Sequence, residues 1–86
     1  MKVSLIIPCY NEEGNVRPLY DTVVRTFDGV VPDYEFVFID DGSRDRTPEV
    51  LNELVATADK PVKAVHFSRN YGKESAILAG LNEASG

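Results

Sequence analysis

The sequence predicts an α/β fold: the three-layer half of a doubly wound parallel sheet, in the element order β-α-β-α-β-α with strand order 3-2-1. Three observations carry this expectation. Short apolar runs alternate with longer stretches whose apolar residues recur at helical spacing. The connections are short, and right-handed crossovers then lay the strands parallel with helices over the faces. Two runs, Val3-Ser4-Leu5-Ile6-Ile7 and Phe36-Val37-Phe38-Ile39, are nearly continuous, as in strands buried on both faces.

The first strand is Val3 to Ile7, ended by Pro8, which also fixes the exit direction. The first helix carries the stripe Val16, Leu19, Tyr20, Val23, Val24 and Phe27 on one face. It should run from near Glu13 to near Asp28, capped by Asn11 and stopped by Gly29 and Pro32. The second strand is Phe36 to Ile39. The second helix presents Val50, Leu51, Leu54, Val55 and Ala58, with Thr47 as cap and Pro48 at its first position. Val62-Lys63-Ala64-Val65-His66-Phe67 is more mixed and suits an edge strand. The third helix opens after Gly72, with Ala76, Ile77, Gly80, Leu81 and Ala84 on one face. In order 3-2-1 the first strand has one neighbour, and an apolar open edge invites pairing. We therefore expect residues 1–86 to be one partial domain, the amino-terminal part of a longer one. We also expect self-association through that edge.

Bulk properties exclude several function classes. A domain of 86 residues buries roughly 60–65% of its unfolded surface. Its 43% hydrophobic and 27% charged residues are those of a globular chain. A net charge of -5 argues against a nucleic-acid surface, which needs clustered Lys and Arg. A mononucleotide is still admissible, because backbone N–H groups can meet its phosphates. The single cysteine, Cys9, permits no intrachain disulfide and fits a reducing compartment. Met1-Lys2 leads into an apolar run too short for a signal-peptide core or a membrane span. The expectation for these residues is a soluble fragment on the cytoplasmic side.

Two polar clusters emerge at the strand ends, and the carboxyl edge of an open α/β sheet is where ligands bind. The first is Pro8-Cys9-Tyr10-Asn11-Glu12. Tyr10 offers a flat face for a base, and Glu12 can accept from ribose hydroxyls. Alternatively, Asn11 caps the helix while Glu12 and Glu13 complement its dipole. The second is Asp40-Asp41-Gly42-Ser43-Arg44-Asp45. Capping accounts for Ser43 or Asp45, but not for two adjacent acids that repel each other at a strand tip. A carboxylate there can accept from a base N–H or from ribose. A third cluster, Ser68-Arg69-Asn70-Tyr71-Gly72-Lys73, offers Arg69 and Lys73 to a diphosphate, or is a solvated loop. His66 reads as a structural or surface histidine and Cys9 as a small buried residue. No zinc site, Ser-His-Asp triad or Walker loop is present. The first strand-to-helix turn carries a single glycine, which counts against a dinucleotide fingerprint. A phospho-receiver is disfavoured, since its acidic pair should follow the first strand rather than the second.

The stretches from Ser4 to Glu13 and from Phe38 to Thr47 resemble the start of family 2 glycosyltransferases with the GT-A fold. The run from Phe67 to Gly80 is similar to the branch that moves a sugar onto a polyprenyl phosphate, such as the dolichol-phosphate mannosyltransferases and bactoprenol glucosyltransferases. The resemblance covers essentially all 86 residues. It implies transfer from a UDP- or GDP-sugar, with Mg²⁺ or Mn²⁺, by a membrane-associated parent enzyme. It implies a nucleotide-sugar site of Pro8, Tyr10, Asn11, Glu12, Ile39, Asp40, Asp41 and Lys73. In it Asp41 would meet the base, with Asp40 and the Ile39 backbone beside it. Arg69 is a weaker candidate.

The family's Asp-x-Asp metal motif and its general base belong to later segments. No catalytic residue and no metal ligand is therefore assigned here, and the fragment alone should be inactive. The competing expectation is a non-catalytic α/β domain that binds a nucleotide or a protein through its open strand edge.

Overall fold

The computed structural model describes residues 2–85. Met1 and Gly86, the outer limits of the amino-terminal run and of the helix end read above, lie outside them. The elements are β1 (Val3–Cys9), α1 (Val16–Phe27), β2 (Tyr34–Asp40), α2 (Thr47–Thr57), β3 (Val62–His66) and α3 (Lys73–Glu83). The three strands form a parallel sheet in the order β1-β2-β3, the expected 3-2-1 read from the other edge. Among the described residues no helix is long and apolar enough to cross a membrane.

β2 is central, and all seven of its residues are buried. Strand alternation sends its side chains to two faces. Phe36 and Phe38 join Val16 and Tyr20 of α1 and Leu51 and Leu54 of α2. The two phenylalanine rings stack, with centroids 5.8 Å apart and planes at 2°. Each such ring contributes about 1.5–3 kcal/mol by leaving water. Val37 and Ile39 face the other way, onto Ala76 of α3. α3 lies close to the sheet because Gly80 has no side chain: a Cβ there would lie 2.3 Å from Ile6 Cγ2.

Three local expectations are corrected. β1 continues through Pro8 to Cys9, in register with Ile39 and Asp40. The Val3 N–H and the Cys9 C=O both bond toward β2. Alternation therefore turns the Pro8 nitrogen to the open side, where a missing N–H costs no ladder bond. α1 starts at Val16 rather than near Glu13, with Asn15 at its N-cap position and no side-chain cap bond. Asn11 does not cap it, because its side chain is spent on the β2–α2 loop. Thr47 is the first residue of α2 rather than its cap. The Asp45 carboxylate accepts the Thr47 N–H at 2.9 Å instead.

Two charged residues lie buried in β2, Glu35 near its start and Asp40 at its end. Glu35, 0% exposed, sits at the amino-terminal end of the sheet opposite Ser4. Its Oε2 accepts from the Ser4 hydroxyl at 2.6 Å and from both the N–H and the hydroxyl of Ser85 at 2.8 Å. Its Oε1 has no well-aligned hydrogen bond but lies 3.2 Å from the Lys63 ammonium. Burial alone would raise its pKa. The bonds from Ser4 and Ser85 and the nearby Lys63 ammonium outweigh burial and lower it to about 2.

Candidate functional site

The carboxyl edge of the sheet carries three loops, and side chains lace them together. Between the β1–α1 and β2–α2 loops, the Asn11 N–H donates to the Ser43 hydroxyl at 2.9 Å, and the Arg44 N–H donates to Asn11 Oδ1 at 2.8 Å. The Glu12 N–H donates to the Thr47 hydroxyl at 2.8 Å. The Glu13 N–H reaches Asp45 Oδ2 at 3.3 Å. Desolvation would raise the Asp45 pKa, but the bonds from Thr47 and from backbone N–H groups hold it below the usual carboxylate range. Asn11 itself has φ 53°, a left-handed conformation in which Asn is among the tolerated residues.

The β2–α2 loop is joined to the β3–α3 loop in the same way. Asp41, 4% exposed, accepts the Tyr71 N–H on Oδ1 at 2.8 Å and the Gly72 N–H on Oδ2 at 3.0 Å. Gly42, at φ +72°, lies against the peptide joining Arg69 to Asn70, where a Cβ would come within 2.1 Å of the Arg69 carbonyl carbon.

A cavity of about 460 Å³ opens where these loops meet, lined by Pro8, Cys9, Tyr10, Asp41, Asn70, Gly72 and Lys73. That volume is in the range of small-molecule sites. It offers an aromatic face, one carboxylate and one ammonium. Tyr10 is 42% exposed, so its ring is open to a ligand. The Cys9 thiol is pushed up to about 12 by burial, with the charges of Glu12 and Asp40 adding to the effect. It is a packed wall rather than a nucleophile.

Four of the expected residues meet in this cavity: Pro8 from the end of β1, Tyr10 and Asp41 from the loops after β1 and β2, and Lys73 from the start of α3. The others are placed elsewhere. Glu12 lines a neighbouring cavity of about 190 Å³ with Pro8, Cys9 and Leu19. Asn11 bridges two loops. Ile39 is wholly buried against α3. Asp40, 1% exposed, turns to the opposite face from Asp41 and bonds to Ser43 and His66. The two acids thus leave the strand in opposite directions, each with its own donors, and their mutual repulsion is relieved. Arg69 lies over the Tyr71 ring, 5.0 Å from its centroid, and does not line the cavity. Asn70 and Gly72 were not expected, because their place depends on the bonds to Asp41 that no local pattern announces.

A divalent cation does not fit these residues alone. Among the described residues no three His, Cys, Asp or Glu side chains converge. The cavity supplies a single carboxylate, Asp41, whose two oxygens each already accept a backbone N–H.

A parallel α/β half-sheet with a cavity at its carboxyl edge defines a ligand-binding class of fold. Residues 4–86 match the model of glycosyl transferase family 2. The chain belongs to that family. It is 45% identical over 84 residues to a putative glycosyltransferase, CsbB, of Bacillus subtilis (strain 168), covering 98% of this chain and 25% of the relative. It is 47% identical over 87 aligned positions to a bactoprenol glucosyl transferase of Shigella phage SfV, covering 100% and 28%. It is 40% identical over 85 residues to an undecaprenyl-phosphate 4-deoxy-4-formamido-L-arabinose transferase of Proteus mirabilis (strain HI4320), covering 99% and 26%. The chain spans about a quarter of the length of the curated relatives it matches.

Proposed function

We propose that these residues are the nucleotide-sugar-binding part of an enzyme that moves a sugar from a UDP- or GDP-sugar onto a polyprenyl phosphate. The observation that carries this is the meeting of Pro8, Tyr10, Asp41 and Lys73 in one cavity, in a chain of family 2. The acceptor class comes from relatives named for bactoprenol and undecaprenyl phosphate. In this reading the base packs on Tyr10. A ribose or base donor uses a lone pair that Asp41 keeps on each oxygen after accepting one N–H there. The Lys73 ammonium, at the start of α3, meets a phosphate. The Mg²⁺ or Mn²⁺, the catalytic residues and the acceptor site come from outside these residues, which alone are inactive. In this reading the whole enzyme is membrane-associated and works on the cytoplasmic side.

Titration of the chain with UDP and GDP, followed by NMR, tests the donor half of this reading. Tyr10, Asp41 and Lys73 resonances should move first, with millimolar affinity. Shifts confined to α2, or none with either nucleotide, count against it.

A second reading has its own observation. β1 has β2 on one side and no strand on the other among the described residues, and Val3 to Pro8 remain partly exposed. A strand open in this way is a template for pairing. Self-association through β1, or capture of a protein strand there, is the function of a non-catalytic domain. Light scattering across a concentration series separates the two: a mass that stays monomeric removes the self-association.

A further inference from the structure

Asp40 is the acid of the pair that the cavity does not use. It ends β2 and is 1% exposed, and an ionised carboxylate so placed requires donors. The Ser43 N–H donates to Oδ1 at 2.9 Å. The His66 Nδ1 lies 3.1 Å from Oδ2. His66 ends β3 and is the cross-strand partner of Asp40, so sheet register sets this contact. A carboxylate only accepts, so the bond requires the proton on Nδ1. The ring's other nitrogen, Nε2, lies 2.9 Å from Asn52 Oδ1 on α2. The imidazole thus lies between a side chain of β2 and one of α2, and the Nδ1 bond to Asp40 is the one the carboxylate requires.

The contact continues toward the cavity. Ser43, whose N–H bonds to Asp40, accepts the Asn11 N–H on its hydroxyl at 2.9 Å. Asn11 holds φ 53°, a conformation that persists where surrounding bonds over-determine it. Its neighbour Tyr10 forms a wall of the cavity.

We propose that His66 is a positioning residue for the nucleotide site. By holding Asp40 it fixes the turn at Ser43, and through Ser43 the backbone at Asn11 that aims Tyr10. The role rests on the nucleotide reading given above. His66 touches no ligand itself.

Amide-resolved NMR of the chain tests this first without ligand. His66→Leu removes the Nδ1 donor, whereas His66→Asn returns an amide N–H near the same place. The Leu variant should move the Ser43, Asn11 and Tyr10 amide resonances. It should also raise the apparent Kd for whichever of UDP or GDP the wild-type chain binds, by about threefold to tenfold, the net contribution of one ordinary hydrogen bond. The Asn variant should restore both. Shifts confined to Asp40, Asn52 and β3, with Kd unchanged, overturn the proposal. Should the Leu variant not fold, a pH titration of the wild type decides. Ser43 and Asn11 amides that follow the His66 ring curve support the proposal, and amides flat through it overturn it. A wild-type chain that binds neither nucleotide, while Asn11 still moves in the Leu variant, overturns the nucleotide reading and leaves the His66-to-Asn11 link standing.

Discussion

Asp41 is bonded to Gly72: its Oδ2 accepts the Gly72 N–H at 3.0 Å across 31 residues of sequence. Its Oδ1 accepts the Tyr71 N–H as well. One carboxylate thus both faces the cavity and fixes the loop that forms another wall of it. Asp41→Ala should cost about 1–3 kcal/mol in urea unfolding, because two backbone donors lose a charged acceptor. Amide exchange at Tyr71 and Gly72 should quicken while that of β2 holds. Unchanged exchange at both positions would contradict the bracing role.

Gly42→Ala should be more damaging. The backbone at φ +72° disfavours any Cβ, and this one would meet the Arg69–Asn70 peptide at 2.1–2.3 Å. Backbone cannot yield as a side-chain tip does, so the β3–α3 loop must move. We expect a loss of about 2–4 kcal/mol. The unfolding midpoint measures the cost, and Asn70 and Gly72 amide shifts report the displacement.

Gly80→Ala sets two effects against each other. Alanine is favoured over glycine inside a helix by about 1 kcal/mol. Its Cβ would lie 2.3 Å from Ile6 Cγ2, and β-branched Ile6 has little rotamer freedom to withdraw it. Overpacking of this kind costs about 1–3 kcal/mol, so the net effect is a loss. In the Ile6→Ala background the same substitution should become neutral or stabilising. A double-mutant cycle in urea reads the coupling.

Glu35 makes stability depend on acid. Its folded pKa, about 2, lies below the ordinary 4.5. A depressed carboxylate stabilises the fold fully above the unfolded value and loses that contribution as pH falls from about 4.5 toward 2. The loss should amount to a few kcal/mol. Urea midpoints measured between neutral pH and the acid limit should fall for the wild type. Glu35→Gln should start lower and fall less over the same window.

Cys9 should resist alkylation in the folded chain. A thiol pushed up to about 12 and 4% exposed offers almost no thiolate at neutral pH. Iodoacetamide labelling should proceed on unfolding, and its rate should rise with urea in step with the unfolded fraction. Fast labelling without urea would show the wall around Cys9 to be open.

The parts of the fold that were legible in the sequence are those with local causes. The apolar runs around Leu5 and Val37, the helical stripes and the position of Gly72 placed every element to within a few residues. The cavity walls at Tyr10 and Asp41 followed from strand ends alone. The start of α1 was not legible, because Asn11 and Glu12 are drawn away by Ser43, Arg44 and Thr47, partners 32–35 residues distant. Glu35 was also missed. Its one signal is a charge between Tyr34 and Phe36 in an apolar strand, and its partners Ser4, Lys63 and Ser85 are remote. Repulsion between Asp40 and Asp41 proved a poor guide, since strand alternation separates them. The direction of each acid, rather than their proximity, decides what each can do.

The bonds among the three loops bear on how a ligand would bind. Residues 11–13, 43–47 and 71–72 are tied before any ligand arrives. Loops fixed in advance give up little conformational entropy on complex formation. Binding at this edge should therefore show a small unfavourable entropy of loop ordering, and its strength should be set by the contacts a ligand makes with a rigid rim.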